Sequence, residues 1–245
     1  SSKIITDFIV EMSKRYAPRF GYCPSDDVKS KYGVGIKNLG SICYMISIFQ
    51  QLAHLAPFLI MFLKEQIEMP ALEKLKFLLT SLYLTSKQSV DPIEFCNLWT
   101  DYGGELVKIG EQKDAMEFWT LLMERIPQSI RKLFTGRVKN VLTSPCDDKT
   151  VRYEDFQTIS LNVIDCPTLD DSLKQFLLPE VIESYSEKLG RMTKVSRTTR
   201  IEEPPPVLVI QLKRFDYSIV NGLVHTKINT PLSFPESLDI RSIMS

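Results

Sequence analysis

The stretch GIKNLGSICYMISIFQQL, residues 35–52, places one cysteine between a glycine-containing turn and an apolar helical segment. Cys43 follows this turn, so it lies in the first turn of the predicted helix, where unpaired amide N–H groups and the helix dipole favour a thiolate. Asn38, on the turn, is placed to donate a hydrogen bond to an oxyanion that forms beside the sulfur. Cysteine is also a common buried small residue. The spacing alone therefore leaves open whether Cys43 is a nucleophile or a core thiol.

The composition is that of an ordinary globular chain and excludes some classes of partner. Of 245 residues, 44% are hydrophobic and 24% are charged, and 30 basic residues balance 30 acidic residues. This balance gives no reason to expect nucleic acid or an anionic membrane as a partner. No apolar run approaches the roughly 18 to 20 residues of a membrane span, and we find no signal-peptide pattern. Because the chain starts Ser-Ser rather than Met, we expect it to be a fragment of a longer protein.

The cysteines indicate a reducing compartment. They are odd in number and widely spaced, which argues against a disulfide framework. We therefore expect the cytoplasm, with the nucleus as the alternative. The five are Cys23, Cys43, Cys96, Cys146 and Cys166.

The first half of the sequence has a helical pattern. ALEKLKFLLTSLYL follows Pro70 and repeats apolar residues at spacings of three and four. DPIEF predicts a helix start, with Asp91 as N-cap, Pro92 at the first helical position and Glu94 at the capping-box position. DAMEFWTLLMERI predicts a further helix with an apolar face, formed by Phe118, Leu121, Leu122 and Ile126.

Strand patterns dominate from about residue 135. FQTISLNVI alternates, and PPVLVIQLKRFDYS is a β-branched run long enough to cross a buried sheet. Asn221-Gly222 is a strong hairpin signal, and LVHTKI is the predicted return strand. One helix interrupts this half, TLDDSLKQFLL, with Thr168 as N-cap and an apolar stripe through Leu169, Leu173, Phe176 and Leu177. The polar tract of residues 187–203 is interpreted as a solvated hairpin or loop.

Three ordered blocks resemble the ubiquitin-specific proteases, a family of papain-like deubiquitinases. GIKNLGSICYMISIFQQL is similar to the family's cysteine box, EQKDAMEF to its Q-Q-D-A-x-E-F box, and PPVLVIQLKRFDY to its L-x-I-x-L-K-R-F-x-Y strand, which KINTPLSFPESLDI follows at family-like spacing. The third block most resembles the very large family members. The residues shared with the cysteine box are Gly35, Asn38, Gly40, Cys43, Tyr44, Met45, Ser47, Gln51 and Leu52.

The resemblance implies an α+β fold, the papain-like cysteine protease fold of the ubiquitin-specific protease type, in one domain over residues 1–245 that is C-terminally incomplete. It implies an N-terminal extension at 1–32, a helical thumb at 33–134, and β-rich fingers and palm at 135–245. The tail of ubiquitin would lie between thumb and palm, with its terminal carbonyl at Cys43 as the nucleophile and Asn38 beside it.

By the same resemblance, Gln112 and Asp114 contact ubiquitin or its tail, and Phe215 and Tyr217 wall the channel for that tail. Each of these residues also has an ordinary structural interpretation. Asp114 would be a helix N-cap and Gln112 a surface residue. Phe215 and Tyr217, two apart on a strand, would share one face and pack in the core.

The chain departs from the family pattern around the nucleophile and in the fingers. Ser41, Ile42 and Ile46 stand where the family usually has Asn, Thr and Asn, which removes polar partners and predicts a more apolar pocket. The family's fingers usually hold zinc with two C-x-x-C pairs. Here the first pair retains only Cys146, in TSPC, and the second pair is absent. One thiol cannot hold structural zinc, so we expect zinc-free fingers and no cofactor.

The largest departure concerns the general base, a histidine that a cysteine protease needs beside its nucleophile. The only histidines are His54 and His225. His54 lies roughly 16 Å along the helix from Cys43 at 1.5 Å per residue, and His225 does not match the family's position. We therefore expect the catalytic His and Asp/Asn downstream of Ser245. Two hypotheses follow, a deubiquitinating thiol hydrolase that cleaves after the ubiquitin C-terminus, or a catalytically inactive ubiquitin-binding scaffold.

Overall fold

A computed structural model describes residues 34–85, 87–146, 148–186, 190–219 and 223–244. The chain divides into two compact units, the first ending at Arg131 and the second beginning at Lys132. The predicted change from helices to strands falls close to this division, because strands other than two very short ones begin only at Gly136 within the described residues. Whether the two units form one domain stays a prediction.

Helices make up most of the first unit. Pro57 and Pro70 lie in the first turns of the second and third helices, where a missing N–H leaves no helical hydrogen bond unmade. Two short strands, β1 (Gly35–Ile36) and β2 (Ser89–Val90), pair in parallel. The helices are α1 (Cys43–His54), α2 (Ala56–Lys64), α3 (Pro70–Leu84), α4 (Ile93–Cys96), α5 (Ala115–Arg125) and α6 (Gln128–Arg131).

An aromatic cluster joins α1, α4 and α5 in the core of this unit. The Phe49 ring lies 5.0 Å from that of Phe95 and 5.6 Å from that of Phe118, both edge to face, between ring centroids. Trp99 stacks on Phe95 at 5.1 Å. Such pairs add about 0.5–1.5 kcal/mol each to the burial of their apolar surface. The predicted apolar face of α5 is confirmed, since its four residues are all buried.

No helix in the described ranges is by itself long and apolar enough to cross a membrane. The helices α1 and α2 meet that test only when they are taken together across a bend of 92°. Their bulky side chains Phe49, Phe58 and Phe62 are buried inside the first unit.

The second unit is built around an antiparallel sheet with the strand order β4-β3-β7-β6. A parallel pair, β5 with β8, and an antiparallel pair, β9 with β10, complete the described strands. One helix, α7 (Leu169–Phe176), lies between β5 and β6 in the sequence. The strands are β3 (Gly136–Thr143), β4 (Lys149–Phe156), β5 (Ile159–Asn162), β6 (Glu180–Ser186), β7 (Arg191–Glu203), β8 (Ile210–Lys213), β9 (Phe215–Ile219) and β10 (Leu223–Lys227).

The helix α7 forms as its sequence predicted, and its apolar side packs against β5. Thr168 caps it, since the Thr168 hydroxyl accepts a hydrogen bond from the Asp171 N–H at 3.1 Å. Leu169 and Leu173 enter a core cluster with Leu161 and Ile201, while the other two residues of the predicted stripe, Phe176 and Leu177, pack at its edge.

For the described part of residues 187–203 the loop interpretation is wrong, whereas the hairpin interpretation is right in that these residues pair with the preceding strand β6. Residues 191–203 form β7, which pairs with β3 on one side and with β6 on the other. Val195 and Ile201 are buried, and the β-branched residues between the charged ones fit a pleated strand. The polar side chains concealed a strand that pairs with the neighbouring β6 on one side and with the distant β3 on the other.

Three further sequence predictions need their bounds corrected. The run PPVLVIQLKRFDYS is interrupted at Arg214, whose guanidinium donates to the Ile228 and Thr230 carbonyls at 3.3 and 2.6 Å. FQTISLNVI is divided between the end of β4 and β5. The helix α4 begins at Ile93, although the Asp91 carboxylate still accepts the Ile93 N–H at 3.1 Å. The return strand β10 is confirmed, and Asn221-Gly222 lies outside the described residues.

Candidate active site

The turn that precedes Cys43 is held on its far side by the short parallel sheet. The Gly35 N–H donates to the Gln88 carbonyl and the Lys37 N–H to the Val90 carbonyl, each at 2.9 Å. Lys37 also pairs with Asp91 at 3.3 Å. These bonds fix the direction in which the chain enters α1.

Cys43 is the first residue of α1 and its thiol is exposed. The N-cap is Ile42, which offers no side-chain oxygen, and the first turn contains no acidic residue. The first amides of a helix have no intrahelical partner, so the amides of Cys43 and Tyr44 stay without a side-chain cap beside the sulfur. The predicted placement of Cys43 in the first turn of a helix is confirmed, and its exposure shows that it is not a core thiol.

Asn38 is part of the same turn. Its Oδ1 accepts hydrogen bonds from the Gly40 N–H at 3.3 Å and from the Ile42 N–H at 3.4 Å. These bonds occupy the acceptor end of the amide, so its NH₂ group is the end that can donate. The structure therefore ties the Asn38 side chain to the backbone of Ile42, the residue directly before Cys43.

Of the three departures in the cysteine box, Ile42 has a clear structural role. Its side chain is fully buried in the core, while Ser41 and Ile46 are half-buried. Ile42 therefore serves the site through its backbone amide and does not wall an exposed pocket, contrary to our expectation for this residue.

Residues 100–111 form a loop that contacts this turn, and we call it the bracing loop. The sequence patterns did not reveal it. The Ser41 N–H donates to the Ile109 carbonyl at 2.8 Å. A Cβ on Gly40 would lie 2.9 Å from the Ile109 oxygen, closer than side chains tolerate. The signal that could have found it is Asp101-Tyr102-Gly103-Gly104, a combination typical of tight turns.

The groups behind the thiol are buried and stay uncharged at neutral pH. Burial raises the pKa of Tyr44 to about 12, and its ring packs edge to face against Phe118 at 5.8 Å. Burial also raises the pKa of the Cys96 thiol to about 11, with the charge of Asp91 adding to the effect. Cys96 is 1% exposed, so it is a core thiol, in contrast to Cys43.

Gln112 and Asp114 lie in the first unit, just before and at the start of α5. Both are exposed. The Asp114 carboxylate accepts the Met116 N–H at 2.6 Å and the Glu117 N–H at 3.2 Å. The N-cap interpretation of Asp114 is therefore confirmed, and both bonds use one carboxylate oxygen, Oδ1.

Phe215 and Tyr217 belong to the second unit, in β9. Phe215 is 53% exposed, so the core-packing interpretation is wrong for this residue. Tyr217 pairs with His225 across the β9–β10 ladder, and the side chains of these two residues lie outside what the structure describes.

His54 does not reach the thiol. It is the last residue of α1, whose first residue is Cys43. Its Nδ1 lies 2.7 Å from the Gln50 carbonyl oxygen, and its ring is near that of Tyr83.

Within the described residues, no group of three or more His, Cys, Asp or Glu side chains could hold a metal ion. Cys146 is exposed on a turn, where its N–H donates to the Ser144 hydroxyl at 3.3 Å. The zinc-free fingers stay a prediction for metal analysis.

Comparison with known proteins identifies similar sequences along most of the chain. A family model described as ubiquitin carboxyl-terminal hydrolase matches residues 34–245. Ubiquitin carboxyl-terminal hydrolase 34 of Homo sapiens is 27% identical over 244 residues, which is 92% of this chain and 7% of that protein. Ubiquitin carboxyl-terminal hydrolase 24 of Mus musculus is 29% identical over 263 residues, which is 97% of this chain and 10% of that protein.

A solved structure has a similar fold. One chain in the SAGA Ubp8/Sgf11/Sus1/Sgf73 DUB module bound to ubiquitin aldehyde superposes with a TM-score of 0.69 at 22% identity, covering 96% of this chain and 58% of that chain. The predicted α+β, papain-like fold of the ubiquitin-specific protease type is confirmed. The chain spans about a tenth or less of the two curated relatives described above.

Proposed function

The chain belongs to the ubiquitin carboxyl-terminal hydrolase family, and from this premise we propose that it is the larger part of a cysteine-type deubiquitinase domain. The substrate would be a peptide or isopeptide bond that follows the C-terminus of ubiquitin. The observation that carries this proposal is the exposed Cys43 thiol at the uncapped start of α1, with the Asn38 amide fixed beside it.

The chemistry follows from that geometry. The Cys43 sulfur attacks the carbonyl carbon of the terminal ubiquitin residue, and the carbonyl oxygen becomes an oxyanion. The Asn38 NH₂ group and the uncapped amides of α1 are the donors that can stabilise this charge. The C–N bond then breaks, the amine leaves with a proton from the general acid, and a thioester remains. Water hydrolyses the thioester, which releases the ubiquitin carboxylate and returns the thiol.

The general acid and base must be a histidine other than His54, since His54 and Cys43 are at opposite ends of α1. We assign this role to a histidine, oriented by Asp or Asn, in a part of the protein beyond Ser245. Four residues are proposed as ubiquitin contacts, with support from the exposure of Gln112, Asp114 and Phe215; the fourth is Tyr217.

The test compares the 245-residue chain with a version that continues beyond Ser245, both assayed with ubiquitin that carries a fluorogenic C-terminal amide. The 245-residue chain should bind ubiquitin weakly and show negligible turnover, because in the described part of the chain His54 does not reach Cys43 and cannot activate water for thioester hydrolysis. The longer version should turn over the substrate. Steady turnover by the short chain would place a base among these residues, and His54→Ala and His225→Ala would then find it.

The alternative hypothesis, a catalytically inactive ubiquitin-binding scaffold, would be supported if the longer version bound ubiquitin but did not turn over the fluorogenic substrate. Neither nucleic acid nor a membrane is a proposed partner. A cytoplasmic location is proposed from the cysteines, of which Cys43, Cys96, Cys146 and Cys166 are free thiols in the described structure.

A further inference from the structure

We propose that Arg125, at the end of α5, is a positioning residue for Cys43, and that it acts through the bracing loop. This inference rests on the proposed function only for its turnover readout, since its other readouts concern the thiol and the loop themselves. The chain of contacts runs from Arg125 to the start of the loop, along the loop to Ile109, and from Ile109 to the turn before Cys43.

At its near end the bracing loop is joined to the turn by a backbone hydrogen bond. The Ser41 N–H donates to the Ile109 carbonyl at 2.8 Å, and Gly40 allows this approach because a Cβ there would meet the same oxygen at 2.9 Å. This hydrogen bond occupies the Ser41 N–H and orients the backbone that follows, which includes the amides of Ile42 and Cys43. A shift of Ile109 therefore moves the donors that surround the sulfur.

At its far end the loop is a closed, hydrogen-bonded turn. The Asp101 carboxylate accepts the Gly103 N–H at 2.9 Å and the Glu105 N–H at 3.0 Å. Its other oxygen bonds to the Lys113 ammonium at 3.1 Å, which holds the pKa of Asp101 below its usual value. The Val107 N–H donates to the Trp99 carbonyl at 3.0 Å. These bonds hold residues 99–107 in one arrangement, so we infer that the position of the loop depends on what anchors residues 99–101.

Arg125 is that anchor. Its Nη1 donates to the Thr100 carbonyl at 2.7 Å, and its Nη2 donates to the Thr100 hydroxyl at 3.3 Å and to the Asp101 carbonyl at 3.2 Å. The guanidinium also lies 4.3 Å from the centre of the Trp99 ring. A planar fork can satisfy all of these contacts at once, whereas a lysine ammonium at the same place keeps the charge and loses the fork.

The competing explanation is that Arg125 only stabilises the unit by packing on Trp99. A structural role alone would lower the free energy of unfolding and leave the folded thiol unchanged. The test therefore measures Cys43 in protein that is fully folded. The variant is Arg125→Lys, which retains a cation over Trp99. The matched control is Arg200→Lys in the second unit, since Arg200 also donates to two backbone carbonyls, those of Leu177 and Thr199, at 3.0 and 2.9 Å.

Two measurements need no ubiquitin. In Arg125→Lys the rate of Cys43 alkylation by iodoacetamide at pH 7 should fall about three- to tenfold, because the uncapped amides no longer lie fixed around the thiolate. Amide hydrogen exchange at Ser41 should speed up by a similar factor. Arg200→Lys should change neither. Unchanged alkylation and unchanged Ser41 exchange in folded Arg125→Lys would overturn the proposal.

Gly40→Ala disturbs the contact between the turn and Ile109 directly, since the added Cβ would lie 2.9 Å from the Ile109 oxygen. If Arg125→Lys does not fold, this variant tests the proposal in its place. It should slow alkylation of Cys43 as Arg125→Lys does, and the double variant should be no worse than the single variants, because both break one chain of contacts. Fully additive effects would contradict the proposal.

In the version that continues beyond Ser245, Arg125→Lys should lower kcat about tenfold with little change in KM. Absent turnover in the unsubstituted protein would refute the proposed function and leave the alkylation result to decide this inference.

Discussion

The helix α5 starts behind Asp114, whose carboxylate accepts the N–H groups of Met116 and Glu117, whereas α1 starts behind Ile42, which has no oxygen to offer. Both helices belong to one core, in which Tyr44 of α1 packs edge to face on Phe118 of α5. In the same unit, the first amides of α5 therefore have a side-chain cap, whereas the first amides of α1 have none and lie beside the exposed sulfur of Cys43.

The difference separates stability from chemistry. An N-cap such as Asp114 contributes about 1 kcal/mol by satisfying orphan amides. At α1 that contribution is absent, and the amides and the helix dipole act on the Cys43 sulfur and on any oxyanion beside it. A change at the start of α1 should therefore act mainly on reactivity, and a change at the start of α5 mainly on stability.

The largest effect is expected from removing the sulfur. In the version of the protein that continues beyond Ser245, Cys43→Ala should lower turnover of the fluorogenic ubiquitin substrate at least about 10³-fold and leave ubiquitin binding intact. Asp114→Ala should retain most of kcat in the same assay. Comparable losses of kcat in the two variants would contradict the claim that the start of α1 serves reactivity and the start of α5 serves stability.

A second effect separates the two thiols of the first unit. In the native 245-residue chain, iodoacetamide at pH 7.5 should alkylate Cys43 more than about 100-fold faster than Cys96, since Cys96 is buried and its pKa is about 11. Peptide mass spectrometry gives both rates. In denaturant the rates should converge, and equal rates in the native protein would show that Cys43 is not distinguished from a core thiol.

Cys96 should also make stability depend on pH. Its pKa is raised from 9.0 to about 11 in the folded chain, so below pH 9 it is protonated in both states. As the pH rises from about 9 to about 11 it ionises in the unfolded chain first, and the free energy of unfolding should fall by on the order of 2 kcal/mol. Chemical denaturation at several pH values measures this decline, which Cys96→Ala should reduce.

The smallest effect concerns the cap itself. Asp114→Ala should lower the free energy of unfolding by about 1 kcal/mol, and Asp114→Asn, which can still accept the two amides, by only a few tenths. Cys43→Ala should cost no more than about 0.5 kcal/mol, because it removes an exposed group. If Asp114→Asn keeps stability yet weakens ubiquitin binding, Asp114 has both a capping role and a contact role. Unchanged binding would leave it a cap alone.

The helix caps and the position of Cys43 could be predicted from the sequence, because they depend on neighbouring residues. Asp114 and Thr168 cap helices because short polar side chains satisfy amides in a way that spacing reveals, and Cys43 lies where the turn before it requires. The turn at residues 101–104 of the bracing loop has a signal in the sequence, whereas the contact of this loop with the start of α1 was not predictable, since the bond from Ser41 to Ile109 joins segments far apart in the sequence. The strand β7 was missed for a related reason, because its charged side chains resemble a loop and its partners β3 and β6 are known only from the fold.

The central claim is that Cys43 is the residue that attacks the ubiquitin C-terminus. The most direct measurement uses ubiquitin that carries a thiol-reactive C-terminal electrophile, incubated with the version of the protein that continues beyond Ser245, and mass spectrometry to locate the adduct. We predict one ubiquitin per chain, attached to Cys43, with no adduct in Cys43→Ala and an unchanged adduct in Cys96→Ala. An adduct on another cysteine, or ubiquitin that binds without reacting, would contradict the account.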